Sequence, residues 1–350
     1  MKYHIPVLLA AVLAAVSGCV STPVRPAQQL MLPELEAPKE VQAQRAADFR
    51  KLTSKVKIRG VGGYLSGLRE TVLTTEQILD RVQALGFNRI YFYVSSEKQL
   101  DGLFRDFIAA SNHRNIPVEV VLNQRDFYFR STGNRIIRFF RPEYLRVDDA
   151  AEMVARFNDA SPDDAKLAGL TVIIEPHLFT PTNPDTPPDT LYYWSDRTFG
   201  DDLDNARLMR ETLAQLRESK ARWGSGNFTI AAADFYHELA MEGKLPVGKI
   251  TDFCAISPRV LLIDSGNKPR AAAQAVENEL AAMPKGSCGL VGISLAGHTS
   301  VDAGALRRRD WNDLMRAMRY MLGRFEKHPT FNGFLLAPIE ALEFVRMERD

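Results

Sequence analysis

The sequence predicts an α/β protein with the fold of a (β/α)8 TIM barrel, on two observations. Short β-branched or apolar runs alternate with longer amphipathic stretches, which is typical of parallel strands joined by helical crossovers. Eight such runs follow one another after residue 48, as one barrel requires. We therefore predict a single barrel over residues 49–350, with no second domain.

The predicted elements follow from residue type and spacing. The strands carry the β-branched and apolar residues of buried strands. They span residues 56–61, 89–94, 118–123, 170–175, 228–234, 253–257, 290–295 and 333–337. The helices are predicted from apolar residues at helical spacing. They span residues 75–85, 100–110, 150–157, 203–223, 269–283 and 309–325.

The alternative architecture is an open doubly wound sheet, which needs a glycine-rich phosphate loop that opens its first helix. The early glycines, in Gly60-Val61-Gly62-Gly63, lack the required spacing, and Tyr64-Leu65 follows them instead of a helix. We therefore prefer the barrel and expect no cofactor.

Composition excludes several classes of protein. With 45% hydrophobic and 25% charged residues, the chain is neither disordered nor collagen-like. A net charge of +1 gives no overall field that attracts a polyanion, so we expect no nucleic-acid partner. Three cysteines provide neither a disulfide scaffold nor the Cys/His spacing of a zinc site, so we expect no metal.

The first residues predict export. Lys2 and His4 precede an apolar run over residues 5–16, which has the length of a signal-peptide core and is too short to span a bilayer. The run ends in Val16-Ser17-Gly18-Cys19, which resembles the bacterial lipobox. This resemblance implies a signal peptide over residues 1–18 and lipidation of Cys19. A simple secretory signal with an incidental cysteine is the alternative.

The residue after the predicted lipidation site indicates which of the two bacterial membranes holds the protein. Val20 stands where an aspartate would favour the inner membrane, and by resemblance to enterobacterial sorting rules this favours the outer membrane, with the protein facing the periplasm. The inner membrane is the alternative. Residues 19–48 carry four prolines among Gln, Ala and Glu without a sustained apolar period, so we predict a tether there.

Active sites of such barrels form at the carboxyl ends of the strands. Polar residues stand near every predicted strand end of this chain from the second onward, which favours a binding site at this mouth. Besides Gln124, Asp126 and Ser257, the predicted mouth contains the candidates for substrate binding: Tyr93, Asn123, Arg125, His177, Tyr193, Trp194, His237, Arg259, His298 and Glu340.

The fourth predicted strand contains the main catalytic candidate. Alternation places Thr171, Ile173 and Glu175 on one face, pointing into the barrel, with Glu175 at the mouth. A carboxyl group there can act as a general acid. The alternative is a structural ion pair between Glu175 and Arg259 or another basic side chain across the mouth.

The segment from Ala168 to His177 resembles the strand-four motif of chitinase-like (family 18) glycoside hydrolases, Asp-Gly-x-x-x-Asp-x-Glu. Gly169 matches the motif glycine and Glu175 its acid/base glutamate, and Pro176 fits a variant seen in envelope polysaccharide hydrolases. Ala168 and Ile173 replace the two motif aspartates. The resemblance implies a glycosidase-like barrel, whereas the lost aspartates argue against the family's substrate-assisted mechanism. The predicted sixth strand also lacks the family's tyrosine.

A glycosidase that does not use the substrate's own amide needs a second carboxyl group. Asp234 ends predicted strand five, beside strand four, and Glu340 follows strand eight across the mouth. We predict Glu175 as the acid/base and Asp234 as the second carboxylate. The alternative for Asp234 is a helix cap or loop anchor.

Two long predicted mouth loops carry aromatic and basic residues. Residues 127–146 hold five arginines among Phe and Tyr, and residues 180–200 hold Tyr192-Tyr193-Trp194. Aromatic faces stack on sugar rings and arginine binds carboxylates, so a groove for an anionic glycan is one interpretation. Simple closure of the loops over the barrel is the other.

Two further signals are interpreted structurally. Gly292-Ile293-Ser294-Leu295-Ala296-Gly297 approaches the nucleophile elbow of serine hydrolases, but no helix follows the serine directly. Cys254 and Cys288 fall on predicted strands six and seven, where a disulfide is conceivable and two buried free thiols are preferred.

The sequence thus predicts a lipid-anchored barrel that hydrolyses an envelope or exported polysaccharide. The alternative is a catalytically inactive barrel that binds glycan, or a partner protein in an envelope assembly. The two hypotheses differ in whether a second carboxylate lies near Glu175.

Overall fold

The computed structural model describes residues 39–54, 64–65, 74–127, 146–179, 194, 203–224, 226–263, 269–294 and 311–337. All of them lie within one compact unit that spans residues 37–350. In the part of the chain that the model describes, no helix is long and apolar enough to cross a membrane.

The core of the unit is a single parallel sheet. Its eight strands are hydrogen-bonded in chain order, from the first to the eighth, and each neighbouring pair is parallel. They are β1 (Tyr64–Leu65), β2 (Ile90–Tyr93), β3 (Val118–Asn123), β4 (Gly169–Ile173), β5 (Asn227–Ala233), β6 (Arg259–Ile263), β7 (Cys288–Ser294) and β8 (Phe331–Ala337). Consecutive parallel pairing with helical crossovers confirms the predicted (β/α)8 class.

Helices connect the strands and cover the outside of the sheet. In the described residues they are α1 (Lys39–Thr53), α2 (Thr75–Ala84), α3 (Gly102–His113), α4 (Val147–Asp159), α5 (Leu203–Trp223), α6 (Phe235–Met241), α7 (Ile250–Ile256), α8 (Pro269–Ala282) and α9 (Trp311–Phe325). Each of the six predicted helices is present with bounds shifted by at most a few residues. The helices α1, α6 and α7 were not predicted.

Alternation along the strands separates an inner from an outer core. Side chains from β2, β3 and β5 to β8 meet in one apolar cluster, against which Ile173 of β4 also packs. We call this cluster the inner layer; its members are Tyr91, Val121, Ala231, Leu261, Leu290 and Leu335. Since residues from seven of the eight strands meet there, the sheet curls around its own interior. The other strand face packs against the helices.

The predicted sixth strand is wrong. Residues 253–257 belong largely to α7, whose buried Phe253 and Ile256 lie three residues apart on one helix face. Asp252 fixes the start of this helix, because its carboxylate accepts hydrogen bonds from the backbone N–H groups of Gly248 and Lys249. The strand begins only at Arg259. A short apolar run is compatible with a strand or a helix, and the hydrogen bonds of Asp252 favour the helix.

The predicted first strand, residues 56–61, lies outside the described residues. The described β1 is Tyr64–Leu65, which pairs with Tyr91 and Phe92 of β2.

The folded unit extends into the predicted tether. The helix α1 begins at Lys39, ten positions before the predicted boundary at residue 49. Phe49 packs against Phe87 and Trp311, with ring centroids 5.8 and 5.6 Å apart. The Asp48 carboxylate accepts a hydrogen bond from the Trp311 indole at 3.0 Å. The tether therefore cannot extend to residue 48.

Both described cysteines are free thiols of intermediate burial. Cys254 lies on α7 outside the barrel, rather than on a strand as predicted, and Cys288 begins β7. The pKa of each thiol is raised, chiefly by burial.

Gly169 is the site of a stability prediction, because a side chain does not fit there. A Cβ on this first residue of β4 would lie 2.8 Å from the backbone oxygen of Asn227 and 2.9 Å from the Glu119 Cδ. We expect Gly169→Ala to lower the free energy of unfolding by about 1–3 kcal/mol through overpacking. Chemical unfolding of the purified chain measures this effect.

Gly323 provides the matched control. It lies inside α9, is exposed, and has open space where a Cβ would be. Gly323→Ala should raise the free energy of unfolding by roughly 0.5–1 kcal/mol, since alanine is the better helix former. Equal stability of Gly169→Ala and the unmodified chain would contradict the close contact between β3, β4 and β5.

Candidate active site

Glu175 lies inside the barrel at the carboxyl end of β4. The alternation holds along the strand: Thr171 donates a hydrogen bond to Glu119 at 3.2 Å inside the barrel, and Ile173 packs on the inner layer. Glu175 follows at the same spacing, just before the short 3-10 helix Pro176–Leu178, and is only 2% exposed. The structure thus places Glu175 where the sequence predicted it.

Asn123 holds the Glu175 carboxyl group in place. It ends β3 and its backbone pairs with Ile173 of β4. Its side-chain Nδ2 donates a hydrogen bond to Glu175 Oε2 at 2.8 Å, while its Oδ1 accepts one from the backbone N–H of Arg125 at 2.9 Å. Both ends of the amide are therefore engaged, and this fixes its orientation.

A second carboxyl group, Asp126, shares the neighbour Tyr93 with Glu175. Asp126 belongs to the helical turn that follows β3, and its Oδ2 accepts a hydrogen bond from the hydroxyl of Tyr93 at the end of β2. Burial raises the pKa of Asp126, while the Tyr93 hydrogen bond and the charge of Arg125 oppose this rise. Burial, Asp126 and, more weakly, Glu175 all raise the pKa of Tyr93. Tyr93 is thus a shared neighbour of both carboxyl groups.

The sequence places Asp126 among the polar residues of the mouth but does not single it out as the partner of Glu175. Its position depends on the helical turn over residues 124–127. That turn is anchored outside the barrel by Gln124, whose amide donates to Thr212 and Gln215 of α5 at 3.1 and 3.0 Å. The sequence signal that could have found Asp126 is its place three residues after Asn123, beside Arg125.

Asp234, the predicted partner of Glu175, lies near carboxyl groups of the helical layer, and its pairing with Glu175 stays a prediction. On β5, Thr229 and Ala231 face inward, and Ile230 and Ala232 pack with the helices. Asp234 continues the outward series and is the residue before α6, where its side chain makes no capping hydrogen bond. Its charge raises the pKa of Glu238 on α6 and of Glu279 on α8. Asp234 therefore belongs to the helical layer.

His177 lies beside Glu175 in an aromatic environment. Its Nδ1 is hydrogen-bonded to the Tyr236 hydroxyl, and its ring meets Phe235 edge-on at 4.9 Å. Burial, and secondarily Arg125, lowers the pKa of His177 to about 4. The imidazole is therefore neutral at neutral pH.

Trp194 supports this environment rather than offering a stacking surface. It is 6% exposed and meets Tyr236 edge-on, with ring centroids 5.9 Å apart. Its backbone N–H donates to the oxygen of Phe179 at 2.6 Å. In the structure Trp194 packs against Tyr236, and its contact with substrate stays a prediction.

Two other predicted mouth residues lie elsewhere. The Nδ1 of His237 accepts a hydrogen bond from the backbone N–H of Ile250 at 3.2 Å, so this histidine helps to begin α7. Arg259 begins β6 and bonds to Glu119 at 2.9 Å, at the amino end of the strands. The incorrect sixth strand had moved Arg259 to the wrong end of the barrel. The alternative ion pair between Glu175 and Arg259 is therefore excluded.

The remaining predicted site residues lie outside the described residues. They are Cys19, Tyr193, His298 and Glu340. The arginines of the predicted loop after β3, from Arg130 to Arg141, lie outside them too. In the described part of the chain, no three His, Cys, Asp or Glu side chains are grouped so that they could hold a metal ion.

Comparisons with known proteins concern the barrel alone. The catalytic core of xylanase A shares 14% identity at a TM-score of 0.45, over 80% of this chain and 86% of that one. A thermostable xylanase mutant from Cellvibrio japonicus shares 12% identity at 0.48, over 82% and 88%. Fructose-bisphosphate aldolase from Plasmodium falciparum shares 9% identity at 0.32, over 84% and 95%. No family model and no curated protein matches the chain. The fold rests on the strand order described above.

The hydrogen bond between Tyr93 and Asp126 gives a testable pKa prediction. Because this bond favours the ionised carboxylate, Tyr93→Phe should raise the pKa of Asp126 further above its ordinary value. Carboxyl-carbon NMR titration of the unmodified chain and the variant measures the change. Asp126→Asn identifies the resonance, and an unchanged Asp126 titration in Tyr93→Phe would show that the hydroxyl does not bind this carboxyl group.

His177 gives a prediction for stability against pH. Its folded pKa of about 4 lies below the ordinary value of 6.5, so the unfolded chain binds the proton more tightly. The fold should therefore lose stability as pH falls from 6.5 towards 4, by at most about 3 kcal/mol from this residue. Unfolding measured at pH 7 and at pH 4.5 tests this, with His177→Gln as the comparison. If the variant loses as much stability over this interval as the unmodified chain, His177 is not the titrating group.

Proposed function

We propose that the protein is a glycoside hydrolase that cleaves a polysaccharide at the carboxyl-end mouth of the barrel. The observation that carries the proposal is the pair of carboxyl groups around Tyr93. Glu175 accepts a hydrogen bond from Asn123, and Asp126 accepts one from Tyr93, which also senses the charge of Glu175. Two carboxyl groups with different environments are what glycosidic hydrolysis requires.

Glu175 is assigned the role of general acid. It stands at the mouth just after β4, and the Asn123 amide donates to its Oε2, which orients the carboxyl group toward the proposed binding site. In the first step its proton passes to the leaving oxygen as the anomeric C–O bond breaks. Positioned acid–base groups of this kind contribute about 10²–10⁴-fold in rate.

Asp126 replaces Asp234 as the second carboxyl group. Burial raises the pKa of Asp126, which makes its carboxylate a stronger proton acceptor. Asp126 would activate the attacking water or attack the anomeric carbon itself, and the stereochemical outcome distinguishes the two.

The resemblance to chitinase-like (family 18) enzymes enters only through Gly169 and Glu175. Ile173 stands where the motif's inner aspartate would orient the substrate's amide, and Ile173 packs on the apolar inner layer. We therefore propose a mechanism that uses two side-chain carboxyl groups and not the substrate's own amide.

For the cellular setting, we propose a lipoprotein of the bacterial envelope. Lipidation of Cys19 would anchor the chain, and Val20 favours attachment to the outer membrane. A tether would join Cys19 to α1, which begins at Lys39. The substrate would then be an envelope or exported polysaccharide.

The second candidate is an inactive barrel that binds glycan or an envelope partner protein. The observations that favour it are the outward position of Asp234 and the apolar environment of Ile173. The chitinase-like motif has an aspartate at the position of Ile173, and the predicted catalytic pair needs Asp234 to face Glu175.

The deciding experiment measures release of reducing ends from a panel of bacterial and plant polysaccharides by the full chain in mild detergent. Glu175→Gln, which keeps the hydrogen-bonding shape, should lower release at least about 10²-fold. Asp126→Asn should lower it comparably, and Asp234→Asn should leave it nearly unchanged.

Each outcome has a distinct meaning. Equal activity of Glu175→Gln and the unmodified chain on a cleaved polymer would reject the assignment of the acid. Loss of activity in Asp234→Asn but not in Asp126→Asn would restore the pair first predicted. Retained glycan binding without release from any polymer would favour the inactive barrel.

A further inference from the structure

A second polar cluster lies inside the barrel, at the amino ends of the strands and apart from Glu175. Glu119 of β3 is fully buried at its centre. It bonds to Arg89, which precedes β2, and to Arg259, which begins β6 across the barrel. Tyr91 of β2 stands beside it, because the backbones of Tyr91 and Glu119 pair in the sheet. We call Arg89, Tyr91, Glu119 and Arg259 the amino-end cluster.

The carboxylate of the cluster is fully engaged. One oxygen of Glu119 accepts from both arginines, with Arg259 at 2.9 Å, and the other accepts from the Thr171 hydroxyl at 3.2 Å. Arg259 also donates to Thr229 at 3.2 Å. These contacts use three of the six guanidinium nitrogens of the two arginines, so further donors remain for another acceptor.

The charges of the cluster do not cancel. Among the described residues it contains two guanidinium groups and one carboxylate. Its other titratable neighbour, the Cys288 thiol, stays neutral because burial raises its pKa, and Tyr91 stays neutral for the same reason. Among the described residues the guanidinium groups of the cluster therefore outnumber its carboxylate by one, and an uncompensated charge at a partly buried site is costly.

Tyr91 supplies the second, independent observation. Its side chain is completely buried, and its hydroxyl has no hydrogen-bond partner among the residues that the structure describes. Leaving a buried hydroxyl without a partner destabilises the fold, so such groups normally meet a ligand or an ordered water. The charges that act on this hydroxyl are those of Glu119, which acts most strongly, and of Arg89 and Arg259.

From these contacts we propose that the amino-end cluster binds a small inorganic anion, held by Arg89, Arg259 and the Tyr91 hydroxyl. The side chains of Arg89 and Arg259 are 22% and 19% exposed, which gives a small ion access from the amino end of the barrel. A halide fits this site best, because a spherical ion can accept hydrogen bonds from several directions and does not need donors at fixed angles. The site is independent of the proposed hydrolase.

The test uses bromide as the probe. The full chain in mild detergent is unfolded by heat in sodium bromide and in sodium gluconate at equal ionic strength, and crystals grown in bromide are measured for anomalous scattering. We expect bromide to raise the unfolding temperature in a saturable way, and an anomalous peak beside the Tyr91 hydroxyl.

The variants locate the effect. Tyr91→Phe removes only the hydroxyl and should weaken bromide binding about tenfold, the loss of one hydrogen bond to a charged group. Arg259→Gln should abolish binding by removing the net charge. Arg324→Gln is the control, since Arg324 belongs to a separate ion-pair cluster around Glu277 between α8 and α9, and its loss should leave the bromide effect intact.

Two results would overturn the proposal. The first is an equal bromide effect in the unmodified chain and in Tyr91→Phe. The second is a water molecule at the Tyr91 hydroxyl with no anomalous peak there. Because Tyr91→Phe keeps the shape of the side chain, it preserves the test even where Arg259→Gln fails to fold.

Discussion

The parallel pairing of the strands determines which side chains can meet inside this barrel. Successive residues of a strand point to opposite faces, so only every second side chain reaches the interior, and the register sets its height. Pairing of Tyr91 with Glu119 and of Asn123 with Ile173 therefore gives three levels. Charged residues occupy the amino end, apolar residues the middle, and Glu175 the mouth.

The apolar middle level keeps the two polar ends apart. Glu119 and Glu175 are both buried carboxyl groups on neighbouring strands, yet their surroundings differ in kind. Two guanidinium groups and a hydroxyl bind Glu119, which fixes it as a structural anion. The amide of Asn123 donates to Glu175, whose charge also acts on Tyr93 and Tyr236, and Arg125 lies close by. The proposed role of Glu175 as a proton donor rests on this position at the mouth.

The sequence predicts most of the strands and helices, because the spacing of apolar residues and the length of each apolar run indicate the element type locally. It predicted Glu175 for the same reason, since β4 is regular up to the mouth. Asp234 and Asp126 show where this information ends. Asp234 follows β5, along which inward and outward positions alternate. A shift of one residue at the end of the strand therefore decides which face Asp234 takes. Asp126 depends on a turn anchored by Gln124 against a distant helix, a tertiary contact that no local pattern contains.

The sixth strand shows the same limit in another form. The run around Phe253 fits a strand or a helix equally well, and a carboxylate that caps Gly248 and Lys249 selects the helix. Moving the strand to Arg259 moved one predicted site residue to the opposite end of the barrel. A shift of a few residues in the bounds of this strand thus places Arg259 at the amino end of the barrel instead of the carboxyl end.

The position of α1 has a mechanical consequence. Through Phe49 and Asp48 this helix is attached to Trp311 at the start of α9 and to Phe87 just before β2, so it bridges late and early parts of the chain. A force applied to the amino-terminal side of α1, as in a chain held at a surface, would load these contacts before it reached any strand. Under such a force α1 would detach from the barrel before the hydrogen bonds of the sheet broke.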